Sequence, residues 1–104
     1  MAEFDAPDIY NVVDRKKRFV VFKLGRKTPE GAPLCAVIDR EKNNKRMFEG
    51  TETQCYAWVL QLTMEDVGGG QYDVISKTHN TTLFTGSMKN AIDYIYSAYK
   101  HGIR

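Results

Sequence analysis

The sequence predicts an α+β protein of two layers, in which an antiparallel sheet of about five strands carries two helices on one face. Three observations support this fold class. Short β-branched and aromatic runs alternate with polar turns, and two segments with helical spacing each follow a pair of such runs. In addition, the run from Phe48 to Thr51 returns, with changes, 36 positions later as the run from Phe84 to Ser87.

The repeat extends beyond these four residues. Each copy follows a short apolar run with a polar turn, and each precedes about three turns of helical pattern. We interpret the chain as a single domain, residues 1–104, in which a duplicated strand–turn–strand–helix unit occupies residues 34–66 and 71–102 after an N-terminal segment, residues 1–18. Three consecutive glycines, Gly68 to Gly70, are predicted to separate the two copies.

The first half of the chain predicts three strands. The run from Phe19 to Leu24 is β-branched and aromatic, which is typical of a strand. Leu34 to Ile38 is continuously apolar, the pattern of a central strand that is covered on both faces. The hairpin tip is predicted at residues 41–44, where asparagine tolerates positive φ. Residues 45–49 then return as the third strand.

A helix is predicted after the third strand. Thr51 and Gln54 have the spacing of a capping box, which favours a helix start near Glu52. Apolar residues then recur at helical spacing up to about Met64. They place one apolar stripe on the helix, formed by Cys55, Val59 and Leu62.

The second copy repeats this order. Strands are predicted at residues 72–76 and 81–85, and Ser87 is expected to cap a last helix that ends near Gly102. Both helices cover the same sheet face, whereas the strand at residues 34–38 is apolar on both faces, so the opposite face needs a cover. We expect a homodimer through this open sheet face, with the N-terminal segment as the alternative cover.

Cysteine usage and hydropathy predict a cytoplasmic protein without a membrane partner. Cys35 and Cys55 fall in apolar patterns and are predicted to be buried free thiols. The first residues lack the apolar segment of a secretory signal. No apolar run approaches the roughly 20 residues that cross a bilayer. A compartment that keeps thiols reduced is therefore expected.

Patterns that indicate catalysis are weak in this sequence. His79 and His101 fall at a predicted turn and a helix end, with no cysteine pair or carboxylate at metal-ligand spacing. Asp39 and Glu41 are two positions apart, but Glu41 lies in a turn, whereas a metal nuclease needs carboxylates on neighbouring strands. We predict a non-enzymatic protein with no catalytic residue, no metal and no cofactor.

Basic residues are concentrated in the first half of the chain. Residues 1–46 contain eleven Lys or Arg and seven Asp or Glu, whereas residues 47–104 contain four and six. If the first strand pairs beside the first hairpin, these cations gather at one edge of the sheet and attract phosphates. The candidate nucleic-acid contacts are Arg15, Lys16, Lys17, Arg18, Arg26, Lys27, Arg40, Lys42, Asn43, Asn44, Lys45 and Arg46.

The first hairpin combines basic residues with an aromatic-x-Gly-Thr motif, Phe48 to Thr51, and a following helix. In this it resembles plant ethylene-response-factor DNA-binding domains, and it is similar in plan to the arm-binding domains of phage integrases. The resemblance covers Phe19 to Leu62. It implies a three-stranded sheet that lies in the DNA major groove and is backed by one helix. Because the strand at residues 34–38 is apolar on both faces, we expect contact through the basic ends rather than the sheet face.

Two functional hypotheses remain open. The first is a small regulatory module that binds another protein, of the kind that phages and mobile elements encode as accessory proteins or inhibitors. Its interface candidates are Tyr94, Tyr96 and Tyr99. The second is an accessory protein that contacts nucleic-acid phosphates through the basic hairpin and the N-terminal basic run. An enzyme of unrecognised chemistry is the remaining alternative.

Overall fold

The structure, a computed structural model, describes residues 15–101 as six strands and three α-helices, with a short 3-10 helix, Arg40–Lys42, in the turn after the second strand. Residues 15–18 are helical and are designated α1. The other elements are β1 (Phe19–Lys27), β2 (Pro33–Asp39), β3 (Lys45–Thr51), α2 (Glu52–Leu60), β4 (Leu62–Gly68), β5 (Gln71–Ser76), β6 (Thr81–Ser87) and α3 (Met88–His101). The helix end predicted near Gly102 and most of the predicted N-terminal segment lie outside the described residues.

The strands form two separate antiparallel sheets. One has the order β1-β2-β3 and the other β4-β5-β6, so the α+β class is confirmed but the single five-stranded sheet is wrong. α2 follows the first sheet and α3 follows the second. We call residues 15–60 the first module and residues 62–101 the second module. Each contains three antiparallel strands followed by a helix. None of the helices in residues 15–101 has the length and hydropathy to cross a membrane.

The chain passes from the first module to the second through a single residue, Gln61, which also ends α2. Gln61 adopts the left-handed conformation, with φ 59° and ψ 47°, and its N–H donates to the carbonyl groups of Ala57 and Trp58. Its own carbonyl accepts a hydrogen bond from the Lys77 N–H at 2.9 Å. A left-handed residue closes the last helical turn and redirects the chain. α2 therefore stops at Leu60.

β4 is the strand that the sequence prediction missed. The predicted helix up to Met64 is wrong, because the chain is already extended from Leu62 onward. Leu62 keeps helical spacing with Val59, and this spacing concealed the strand. The three glycines Gly68 to Gly70 do not separate the modules. They form the tip between β4 and β5, and all three have positive φ.

The local structure around the repeated motif is the same in both modules. The register between β2 and β3 is irregular after the pair Val37 and Phe48, and the register between β5 and β6 is irregular after Val74 and Phe84. The helix caps also agree with the sequence prediction. Thr51 forms a capping box with α2, and the hydroxyl of Ser87 accepts the Asn90 N–H at 3.2 Å.

α2 packs between the two sheets and gives the modules a shared interior. Cys55 and Val59 face the first sheet, where they join a cluster with Val37. Tyr56 and Leu60 belong to a second cluster, which holds the second sheet and α3. Because α2 packs against both sheets, its buried residues are spread over more than one side of the helix. Both cysteines are buried and free, as predicted.

The glycine of the repeated motif is required by close packing in the second module. A Cβ at Gly86 would lie 2.9 Å from two ring atoms of Phe84, and that ring is stacked on Tyr94 with 5.1 Å between centroids. Because the stacked ring has little room to move, we expect Gly86→Ala to lower the free energy of unfolding by about 1 to 3 kcal/mol. Urea denaturation measures this loss.

Gly50 provides the matched control. A Cβ there would lie 2.5 Å from Oε1 of Gln54, the far end of a flexible side chain, and 3.1 Å from one ring atom of Phe48, a milder contact than the two ring atoms at 2.9 Å from Gly86. The side chain can turn away and lose its hydrogen bond to the Thr51 N–H, which costs about 1 kcal/mol for a cap. A larger loss for Gly50→Ala than for Gly86→Ala would contradict this packing argument.

Candidate functional site

Charge is divided unequally between the two modules. The first module contains eleven Lys or Arg and five Asp or Glu, a net charge of +6. The second contains three and four, a net charge of −1. The two modules share the same order of strands and helix, so this difference does not follow from the fold. It marks the first module as the one suited to an anionic partner.

α1 and the turn after β2 enclose an open groove of about 780 Å³. The Arg40 guanidinium donates a hydrogen bond to the Lys17 carbonyl at 3.3 Å and so connects the two sides of the groove. The structure therefore brings the N-terminal basic run and the first hairpin together. The groove is lined by Arg15, Lys17, Arg18, Phe19, Arg40 and Glu41.

Arg18 is half-exposed and forms an ion pair with a buried carboxylate. Its Nε and Nη2 donate to the two carboxylate oxygens of Asp39 at 3.0 and 2.9 Å. Asp39 is fully buried and also accepts the N–H of Glu41 at 3.0 Å. The hydrogen bond from Arg18 holds the pKa of Asp39 below its usual value, although burial acts in the opposite direction. The pair fastens α1 to the end of β2.

Arg15 and Lys16 fasten α1 to the ends of the two longer helices. The Arg15 guanidinium donates to the carbonyl of Val59 and, at 3.5 Å, to that of Trp58. The Lys16 ammonium donates to the carbonyl of Tyr99 at 2.7 Å and lies over that ring. Cations are favourable at the carbonyl end of a helix. Of the run at residues 15–18, Lys17 alone is exposed.

The tip between β2 and β3 presents a second group of polar side chains. Asn43 and Asn44 have φ of 56° and 60°, which agrees with the predicted turn. Lys42 and Lys45 flank them, and all four residues are exposed. Neither lysine has an ion-pair partner among residues 15–101. Together with Lys17 and Arg40, these residues form one surface, which we call the basic end (Lys17, Arg40, Lys42, Asn43, Asn44 and Lys45).

The remaining predicted contacts lie elsewhere. Arg26 and Arg46 both pair with Glu49, each at 3.3 Å. Arg46 shares a sheet face with Ile38, and Glu49 shares it with Ala36, so this ion network lies on the outer face of the first sheet, opposite α2. Lys27 lies at the far end of β1, where it pairs with Pro33. The structure thus places Arg26 and Lys27 away from the basic end, whereas Arg46, next to Lys45 in β3, lies on the outer sheet face in an ion pair with Glu49.

The outer face of the first sheet is partly apolar. Cys35 and Val37 face α2, while Leu34, Ala36 and Ile38 alternate onto the outer face. Ala36 is fully buried, and its two neighbours on this face are half-buried. α2 lies between the two sheets and α3 covers the second sheet, so the predicted arrangement of both helices on one sheet face is wrong. The homodimer expected at the open face stays a prediction.

The three tyrosines of α3 do not form one exposed surface. Tyr94 stacks on Phe84, and Tyr99 stacks on Tyr56 with 4.0 Å between centroids. Both are half-buried and pack against the second cluster. Tyr96 is 44% exposed. Of the three predicted interface residues, Tyr96 is therefore the one with a side chain open to a partner.

The two cysteines have little access to a substrate, since both are buried. Burial raises the pKa of the Cys55 thiol to about 11, and the Cys35 thiol is shifted in the same direction for the same reason. Thiolate is the nucleophilic form of cysteine. Within residues 15–101, no three His, Cys, Asp or Glu side chains are grouped to hold a metal ion.

Comparisons with known proteins give no relative. No family model matches the chain, and no curated protein or solved structure matches it. The basis for a functional hypothesis is therefore the geometry of this chain alone, and its most distinctive surface is the basic end.

Proposed function

We propose that this protein is a non-enzymatic accessory protein that binds nucleic acid through the phosphates, using the basic end of the first module. The carrying observation is that Lys17 and Arg40 line one groove, which also holds Glu41, while Lys42 and Lys45 flank the adjoining tip of the same hairpin. All four cations are exposed and make no ion pair within residues 15–101. Lysine and arginine side chains of this kind release counterions from the phosphate backbone, which supplies most of non-specific affinity.

The second module supports this proposal as an internal control. Its corresponding hairpin tip, residues 77–80, also turns through a left-handed asparagine, Asn80 with φ 54°. Lys77 is the one Lys or Arg in this tip. Turn geometry therefore does not require the cations of the first tip, and a ligand is the simpler reason for them.

The plan of the first module also favours a nucleic-acid partner. A three-stranded antiparallel sheet backed by one helix is what the resemblance to DNA-binding domains implies. The outer sheet face carries Phe22 and Ile38 beside the ion network of Glu49. Such a face offers few unpaired donors for base edges. We therefore place the contact at the basic end and expect little sequence preference.

We further infer that the second module is a duplicate of the first that lacks its basic end. The same strand and helix order, the same irregular register and the same motif glycine support this inference. In such a pair the first module contributes the ligand contacts, and the second stabilises it by packing against α2.

Two matched double variants test the proposal. Lys42→Gln/Lys45→Gln removes two charges from the basic end, and Lys89→Gln/Lys100→Gln removes two from α3. Fluorescence anisotropy with a labelled DNA duplex, from about 50 to 200 mM salt, should show affinity that falls steeply with salt for the wild type. The first variant should bind roughly tenfold or more weakly and lower the salt slope by about one per lost phosphate contact.

The α3 variant should bind as the wild type does. Equal losses in both variants would mean that net charge, and not the basic end, governs binding. No binding of duplex or single strands at about 50 mM salt would exclude the proposed function and leave a protein partner as the alternative.

A further inference from the structure

We propose that a second groove, between the two modules, binds a short apolar and acidic peptide segment of another protein. This junction groove has a volume of about 460 Å³, and its lining includes Phe48, Trp58, Met64, Tyr72, Met88 and Ile95. It shares no lining residue with the basic groove. The inference is therefore independent of nucleic-acid binding.

The walls of the junction groove combine a rigid and an adaptable side. Phe48 stacks on Trp58 with 6.1 Å between centroids and an interplanar angle of 21°. Met64 and Met88 also line the groove, and methionine side chains adapt to irregular apolar partners. Fully buried Ile95 reaches the groove from the core. A groove of this size and lining accepts one or two large apolar side chains.

The exposure of Met88 supports the assignment of this groove as a binding surface. It lies on the same stripe of α3 as Ala91, Ile95 and Ala98, which are all buried. At the start of the helix the stripe leaves the core, and Met88 is 47% exposed. A contiguous apolar surface rimmed by polar residues, unlike a single exposed side chain, marks an interaction site, and Met88 continues into the apolar lining formed by Trp58 and Met64.

The charge of the rim selects an acidic partner. Lys77 lines the groove, together with Thr53 and Gln54 from the first turn of α2. The first turn of α3 opens there too, through Met88. The first turn of α2 also carries Glu52, but no Asp or Glu is among the lining residues that the structure describes, so Lys77 sets the charge of the lining. A leucine or phenylalanine anchor with a neighbouring carboxylate fits both the walls and the rim.

Trp58 reports directly on occupancy, because it is the single tryptophan of the chain. Two short synthetic peptides with the same leucine and phenylalanine anchors, one flanked by glutamates and one by lysines, are titrated into the full chain. The glutamate peptide should shift the Trp58 emission saturably, and the lysine peptide should bind at least about tenfold more weakly. Lys77→Glu should remove or reverse this preference without affecting the fold, since Lys77 is exposed.

Met88→Asp should abolish the response to the glutamate peptide. Val67→Asp is the matched control, since Val67 is an equally exposed apolar residue, at 51%, and lies on β4 outside the groove. Equal affinity for both peptides, an unchanged response in Met88→Asp, or an emission spectrum that changes with protein concentration alone would overturn the proposal. The last result would assign the groove to a second copy of the chain.

Discussion

Replacing Ile95 by alanine is expected to lower the free energy of unfolding by about 3 kcal/mol. Ile95 is fully buried in the second cluster, where it packs with Leu62, Val74 and Ala91. The substitution removes apolar contacts and leaves a cavity between α3 and the second sheet. A loss of this size corresponds to a fall in Tm of roughly 12 to 24 °C for a domain of this length. Differential scanning calorimetry or urea denaturation measures it.

Ile92→Ala is the control on the same helix. The substitution is the same and lies in the same helix, so the change in helix propensity is the same. Because Ile92 is only half-buried, the loss in free energy of unfolding should be about 1 kcal/mol. Because α2 packs in both clusters, the unfolding transition of both variants should remain single. Similar losses for the two substitutions, or separate transitions for the two modules, would contradict the shared interior.

Replacing Arg18 by methionine is expected to destabilise the protein most at neutral pH and least in acid. In the wild type, the hydrogen bond from Arg18 holds the pKa of Asp39 below its usual value. The ion pair therefore contributes stability above about pH 4, which is lost as the pH falls through the folded-state pKa. In the variant, the Glu41 N–H and the Lys42 charge still favour the carboxylate, but without Arg18 the burial of Asp39 raises its pKa relative to the wild type, so protonation relieves a poorly compensated charge.

Urea midpoints at about pH 7 and about pH 3 measure this effect. The deficit of Arg18→Met relative to the wild type should shrink between the two. Asp39→Asn, which cannot ionise, should show a much weaker dependence on pH over this range. A deficit of Arg18→Met that is the same at both pH values would show that Arg18 acts through packing and not through Asp39.

The local signals of the sequence were sufficient for the turns and caps. Thr51 and Gln54 form the capping box that their spacing predicts, and Asn43 and Asn44 take the left-handed turn. These features depend on side chains within three or four residues of one another, so a single sequence contains the necessary information.

The division into two sheets was not accessible in the same way. It depends on Gln61, a non-glycine residue in the left-handed conformation, which no composition rule marks as a helix end. Because the sequence pattern extends α2 to Met64, it conceals β4, and the five strands that it does predict fit a single sheet. Strand pairing is a long-range property that the pattern of single strands does not determine.

The candidate site shows the same contrast. The sequence indicated that the basic run and the first hairpin meet, and the structure places Lys17 beside Arg40. The sequence pattern does not indicate that Lys16 bonds to Tyr99, 83 positions away, or that Arg18 pairs with Asp39, 21 positions away. A sequence alone does not show which cations have hydrogen-bond or ion-pair partners. Once these partners are assigned, the cations of the basic end are those left without an ion pair within residues 15–101.

The central claim is that one end of the first module, and not the second module, contacts nucleic acid. Backbone amide shifts recorded on the full chain during titration with a DNA duplex at low salt test it most directly. The account predicts changes at Lys17 and at residues 40–45, with β4, β5 and β6 unaffected. Changes centred on residues 62–101, or none at protein and duplex concentrations that give saturation in anisotropy, would contradict it.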